Sequence, residues 1–159
     1  MPTEKYQYRS PLGVLYLTLD NGRVASLEYE SREPASFAAG LPADTALHQW
    51  LDAYFNGDGA AAAPPLLIQG TPFQRRVWQA LLDIPGGQTR TYGDIAAVLG
   101  SAARAVGQAC RRNPLPLFVP CHRVVGRQSV GGYEGATSGR RLDRKNWLLQ
   151  HEKNHTTIA

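Results

Sequence analysis

The sequence predicts an α+β protein: a small N-terminal α/β domain with an antiparallel sheet, plus a mostly helical C-terminal domain with a winged-helix-like helix-turn-helix. Three observations predict it. Residues 5–30 alternate in a strand-like way around the hairpin signal Asp20-Asn21-Gly22. Residues 71–112 carry helical spacing in successive stretches, opened by capping residues and closed by glycine or by an Asn-Pro step. The charge also changes sign along the chain. Residues 1–70 hold four Lys/Arg and eight Asp/Glu, a net of −4, whereas residues 71–159 hold thirteen and five, a net of +8. The domains are therefore placed at residues 1–70, a scaffold with a linker, and residues 71–159, the part that carries recognisable chemistry.

The elements are justified in order. Tyr6 and Tyr8 lead into the turn Ser10-Pro11-Leu12-Gly13, residues 14–19 read as a strand, and residues 24–29 as its hairpin return. Residues 46–55 place Leu47, Trp50, Leu51, Tyr54 and Phe55 at helical spacing, and Gly57-Asp58-Gly59 ends that helix. Residues 60–65 read as a linker and Leu66-Leu67-Ile68 as a short buried strand. Thr71 is an N-cap with Pro72 at the first helical position. Phe73, Val77, Ala80 and Leu81 form the inner face of the helix it opens, Arg75, Arg76 and Gln79 point outward, and Pro85-Gly86-Gly87 stops it. Thr91-Tyr92-Gly93-Asp94 forms a capping box with Asp in the last position, and the helix it opens closes at Gly100. Ser101 is expected to cap a helix over residues 102–112, which ends before Asn113-Pro114.

Composition narrows the function classes. With 43% hydrophobic residues the chain has enough to build a core. No apolar run reaches the length that spans a membrane, and the start lacks the charged and apolar regions of a signal peptide. A cytoplasmic protein with reduced thiols is expected. Cys110, Cys121, His122 and His151 do not show zinc-ligand spacing, so neither a metal nor a cofactor is expected. The basic second half suits a polyanion partner, and the plainer alternative is a solvated basic surface.

The helix expected over residues 102–112 is unusual in content. Val106 and Cys110, four apart, can face the core. Ala102, Ala103, Ala105 and Gly107 supply almost no side chain, so this helix can lie close against a groove of DNA. It has few side chains able to read bases, which predicts little sequence preference. The alternative is that the alanines favour helix or pack inside. Arg104 stands among them, where pairing with a carboxylate would be its commoner fate.

The stretch Val119-Pro120-Cys121-His122-Arg123-Val124 places a thiol beside an imidazole, straight after a proline and an apolar run. Pro120 stiffens the backbone and restricts Val119 to an extended conformation. A thiol attacks as thiolate and needs a proton acceptor or a positive field nearby. In extended chain His122 would point away from the Cys121 sulfur, unless the backbone turns or a water bridges them. The hexapeptide alone is equally compatible with a buried inert cysteine beside a surface histidine.

Around it lie Arg104-Ala105-Val106-Gly107-Gln108-Ala109, Asn113-Pro114, Gly132-Tyr133-Glu134-Gly135 and Arg144-Lys145-Asn146-Trp147-Leu148-Leu149-Gln150-His151-Glu152. With Pro-Cys-His-Arg-Val in the middle, this order resembles the O6-alkylguanine-DNA alkyltransferase family, over about half the chain, from about Thr71 to Glu152. The resemblance implies direct DNA repair: irreversible, stoichiometric transfer of a methyl or other alkyl group from O6-alkylguanine, and from O4-alkylthymine, to Cys121 after base flipping. It implies that His122 deprotonates Cys121 through a water, that Glu152 orients His122, and that Tyr92 donates a proton to guanine N3. The resemblance also implies that Asn113 ties the recognition helix to the active-site segment. It further implies that Arg104 fills the gap left by the flipped nucleotide, with Ala102, Ala103, Ala105, Gly107, Arg111 and Thr71 on the DNA. Arg75, Arg112 and Arg127 are further phosphate candidates. Val119, Gly131, Tyr133 and Glu134 would form the base pocket. The implied partner is double-stranded DNA containing the lesion, bound through the minor groove by a monomer, with cooperativity left open. The connection at residues 136–141 is about five residues longer than the family's pattern. Two other readings stand beside this one: a DNA-binding protein of alkyl lesions without transfer, and a Cys-His hydrolase, which needs an oxyanion hole and a histidine in direct reach of sulfur.

Overall fold

The computed structural model describes residues 3–58, 62–127, 131 and 139–155. The chain divides into two compact units, residues 1–69 and 70–159. In the first, strands β1 (Thr3–Ser10), β2 (Gly13–Asp20) and β3 (Arg23–Glu28) form an antiparallel sheet in the order β1-β2-β3. Ser10 pairs with Gly13 and Asp20 with Arg23, so both connections are two-residue loops. Asn21 and Gly22 both take positive φ, 54° and 79°, as a hairpin turn matched to strand twist requires. Helix α1 (Ala46–Phe55) is opened by Thr45, whose side chain accepts from the His48 amide. Leu15, Leu17, Val24 and Leu27 of the sheet and Leu47, Leu51 and Tyr54 of α1 are buried. The strand expected at Leu66-Leu67-Ile68 is only a single parallel bridge, Val24 to Leu66, and these residues are half-buried. Its apolar run is too short to build a ladder of its own.

The second unit holds α2 (Pro72–Leu81), β4 (Arg90–Thr91), α3 (Tyr92–Leu99), α4 (Ala103–Arg111), a one-turn 3-10 helix (Cys121–Arg123), β5 (Val124–Val125) and α5 (Arg140–Asn154). Capping boxes open α2 and α3: Thr71 with Gln74, and Thr91 with Asp94, each exchanging side-chain and backbone hydrogen bonds. Gly100, at φ 64°, closes α3 in the left-handed conformation, and the Ser101 amide bonds back to the Ala96 carbonyl at 2.9 Å. The backbone amide of Ser101 thus helps to end α3. The N-cap of α4 is Ala102, with no side-chain cap bond, and the helix begins one residue later than expected. Trp78, absent from the apolar face read in the sequence, is buried at 1% exposure, and its Nε1 donates to the Ala109 carbonyl at 2.9 Å. This fastens α2 to α4. Gly70 makes room for it, since a Cβ there would come within 2.5 Å of the indole. The strand pairing in this unit among the described residues is a two-residue parallel ladder, Arg90 to Val124 and Thr91 to Val125, and no hairpin wing occurs among them. Among the described residues no helix is long and apolar enough to cross a membrane.

Candidate functional site

The site is built where the chain leaves α4 and folds back beneath it. Asn113 bridges the two parts: its Oδ1 accepts from the Leu115 amide at 2.8 Å, and its Nδ2 donates to the Val119 carbonyl at 2.9 Å. Leu117 sits between at φ 79°, a left-handed conformation unusual for a bulky residue. Residues 115–124 are all buried.

Pro120 does not continue as extended chain. At φ −80° and ψ 65° it is the centre of an inverse γ-turn, closed by the Cys121 amide donating to the Val119 carbonyl at 2.7 Å. The Arg123 amide then donates to the Pro120 carbonyl, completing the single 3-10 turn that carries Cys121, His122 and Arg123. The extended geometry expected for the Cys-His pair is therefore replaced by a turn, and His122 is a core residue at 0% exposure rather than a surface one.

His122 Nε2 lies 2.6 Å from Glu152 Oε2 on α5. Arg123 grips the same carboxylate: Nε donates to Oε1 at 2.8 Å and Nη2 to Oε2 at 3.0 Å, while Nη1 donates to the Ile84 carbonyl just beyond α2. A side-on, two-point guanidinium–carboxylate pair is among the strongest polar contacts available. Burial acts to raise the Glu152 pKa, but His122 and Arg123 outweigh it and hold the carboxyl well below the ordinary range. Burial lowers the His122 pKa, opposed by Glu152 and helped by Arg123 and Lys145. A neutral His122 that donates Nε2–H to Glu152 presents Nδ1 as a bare acceptor. That Nδ1 is buried and has no hydrogen-bond partner among the described residues.

Two charged residues that the motif reading gave no role complete the site. Arg123 is one. Lys145 is the other: fully buried, its Nζ donates to the Val124 carbonyl at 2.7 Å and sits 5.8 Å from the Tyr92 ring centroid. Burial lowers its pKa to about 8, partly offset by Cys121 and Cys110. The signal for Lys145 was the helical register of α5, in which Lys145, Leu148 and Glu152 share one buried stripe. Neither cysteine forms a disulfide. Burial pushes the Cys110 thiol far above its ordinary value, which makes it a poor nucleophile.

Tyr92, half-buried at the first position of α3, faces Gly131: a Cβ on Gly131 would lie 3.0 Å from the phenol oxygen. Val119 is fully buried, and its carbonyl already accepts from both Asn113 and Cys121. Ala102, Ala103, Arg104, Arg111 and Arg112 are exposed on or beside α4, and Ala105 and Gly107 are half-buried. Arg75 and Arg127 are also exposed. Thr71 is exposed, but its hydroxyl is engaged as the cap of α2. Tyr133 and Glu134 lie outside the described residues.

The chain is similar to known proteins. The family profile "6-O-methylguanine DNA methyltransferase, DNA binding domain" matches residues 72–154. A "Methylated-DNA--protein-cysteine methyltransferase" of Mycobacterium leprae is 44% identical over 94% of this chain and 92% of its own. A "Probable methylated-DNA--protein-cysteine methyltransferase" of Acanthamoeba polyphaga mimivirus is 53% identical, over 57% of this chain and 59% of its own length. The match thus spans about three-fifths of that viral relative. The crystal structure of Mycobacterium tuberculosis OGT in complex with DNA superposes with a TM-score of 0.82 at 38% identity, covering 96% of this chain and 94% of that one. With its DNA-binding domain matched and a relative alike over nearly the whole length, the chain belongs to the 6-O-methylguanine DNA methyltransferase family.

Proposed function

We propose that this protein repairs O6-alkylguanine in double-stranded DNA by moving the alkyl group irreversibly to Cys121. The observation that carries the reading is the buried, unpartnered Nδ1 of His122, the residue that follows Cys121, while Glu152 holds the other ring nitrogen. A buried acceptor without a partner is costly and rare outside functional sites. Here it is the place for the thiol proton, passed through one water. The Cys121 sulfur attacks the alkyl carbon, the S–C bond forms and the bond to O6 breaks. Tyr92 gives a proton to N3 so that guanine leaves neutral, and Lys145, beside its ring, favours the resulting phenolate.

The thioether is inert at neutral pH and no residue of the site removes it, so each molecule acts once. The target base must leave the stack to reach a buried sulfur. The exposed, nearly bare face of α4 lies in the minor groove with little sequence preference, and Arg104 occupies the gap. Asn113 holds α4 and the active-site turn in fixed relation, and Gly131 with Tyr92 lines the base pocket. Val119 contributes wall rather than a backbone acceptor, because its carbonyl is already used twice. O4-alkylthymine is the second substrate, the binding unit is a monomer, and a reducing compartment such as the cytoplasm suits the thiol.

Mass spectrometry after incubation with a duplex containing O6-methylguanine tests this. One methyl per protein, on the peptide carrying Cys121, is expected. Methyl on another residue, or many lesions cleared per molecule, overturns it. Release of a small methylated product would instead favour hydrolysis.

A further inference from the structure

Glu152 meets Arg123 as well as His122, where orienting a histidine needs only one partner. Both of its oxygens are engaged by Arg123, and only Oε2 also meets His122. The cluster holds one carboxylate, one permanent cation and one imidazole, with His122 and Glu152 almost wholly withdrawn from water. A buried carboxylate with no cation beside it would draw a proton onto its imidazole partner and keep it there. An imidazolium cannot accept the thiol proton. Arg123 also reaches the Ile84 carbonyl, so its guanidinium is fixed from a third side and cannot swing away.

We propose that Arg123 is a positioning residue that cancels the charge of Glu152, so that the carboxylate orients His122 without holding it as imidazolium. The inference rests on the reading of His122 as the base. The groups whose charge bears on His122 are Glu152 and Lys145 from α5 and Arg123 from its own turn, and from the end of α2 comes only the Ile84 carbonyl, through Arg123. Burial is the main cause of the low His122 pKa, Glu152 works against it, and of the two cations that restore the balance Arg123 has the larger effect and holds Glu152 directly. Remove Arg123, and Glu152 acts on His122 with less opposition.

The test is the single-turnover rate of methyl transfer from an O6-methylguanine duplex, measured against pH with the full chain. In Arg123→Gln the acid limb should move up by about one pH unit or more, so that transfer is lost at mildly acid pH and recovers as pH rises. Arg123→Lys keeps the charge and should bring the midpoint back toward that of the wild type, even where the loss of the two-point contact lowers the plateau. A purely structural role would slow Arg123→Gln by the same factor at every pH, and that result overturns the proposal. If Arg123→Gln does not fold, the charge-balanced pair Arg123→Gln with Glu152→Gln replaces it. Its midpoint should lie at or below that of the wild type, and a higher one overturns the proposal. His122→Ala separates this outcome from failure of the site itself. If it transfers as fast as the wild type, His122 is not the base and both readings fall. If it is slow while Arg123→Gln runs parallel to the wild type, only the role of Arg123 falls.

Discussion

Cys110 and Cys121 are both buried thiols, yet only Cys121 lies in the turn that also carries His122 and its unpartnered nitrogen. Cys121→Ser should abolish methyl transfer while leaving duplex affinity within about twofold, because α4 does not depend on the sulfur for its exposed face. Cys110→Ala should keep transfer, since that thiol is held protonated by its surroundings. Titration with labelled duplex and a gel-shift measurement check both. Asn113 is decisive in another way. Asn113→Ala deletes two hydrogen bonds and leaves the Leu115 amide without its acceptor in a buried segment. A loss of about 1–3 kcal/mol in urea unfolding is expected, together with slower transfer as the active-site turn loosens from α4.

Single elements in this protein are held by their ends. The hydroxyl of Thr71 accepts from the Gln74 amide and Gln74 Oε1 accepts from the Thr71 amide, so the threonine was readable both as a cap and as a DNA contact. The two roles give different signatures. Thr71→Ala should lower stability by about 1 kcal/mol through the lost cap, and Thr71→Ser should restore it. If Thr71 also meets phosphate, Thr71→Ala weakens duplex binding by a factor that changes little with salt, because a neutral hydroxyl neutralises no phosphate and releases no counterion. Capping residues were legible because a cap is a local pattern of four residues. The start of α4 was misplaced by one because Ser101 sits between two helices, and only the three-dimensional closure of α3 at Gly100 decides which helix it serves. Trp78 escaped the sequence reading for a similar reason. Its position on α2 borders the apolar stripe, and it is the Ala109 carbonyl on another helix that draws the indole inward.

For the protein as a whole, the buried cluster makes stability depend on pH with a definite sign. The Glu152 carboxyl is held below its ordinary value of 4.5, so the unfolded chain takes up a proton before the folded one does. Its contribution is complete above the ordinary range and is lost as pH falls toward the folded pKa. His122 is held below 6.5, so below that pH the unfolded chain again binds a proton that the folded chain refuses. Both groups make stability rise with pH on the acid side. Lys145, near 8 when folded against 10.5 when unfolded, adds a further rise between those values. The thermal midpoint at pH 5 should therefore lie below that at pH 7, and the gap should narrow in His122→Phe, where the titrating ring is gone. Calorimetry over this range checks it, and equal gaps in both proteins would remove His122 from the account.

The order of elements, the hairpin at Asn21-Gly22, the two capping boxes, the bare α4 and the Cys-His pair were all present in short runs of sequence, because each rests on contacts between residues a few positions apart. The charge cluster was not. Glu152 lies 29 residues from Arg123 and 30 from His122, and nothing local marks it as buried. Lys145 shares the register of Leu148 and Glu152, but its charge marks it as solvated until α5 is packed against the turn that carries His122. Burial and partnership of charges are properties of the packed unit, since only packing removes the water that would otherwise make these groups independent. The chain alone therefore singled out Cys121 beside His122 as the pair to look at, and tertiary structure decided what surrounds that pair and with which charge.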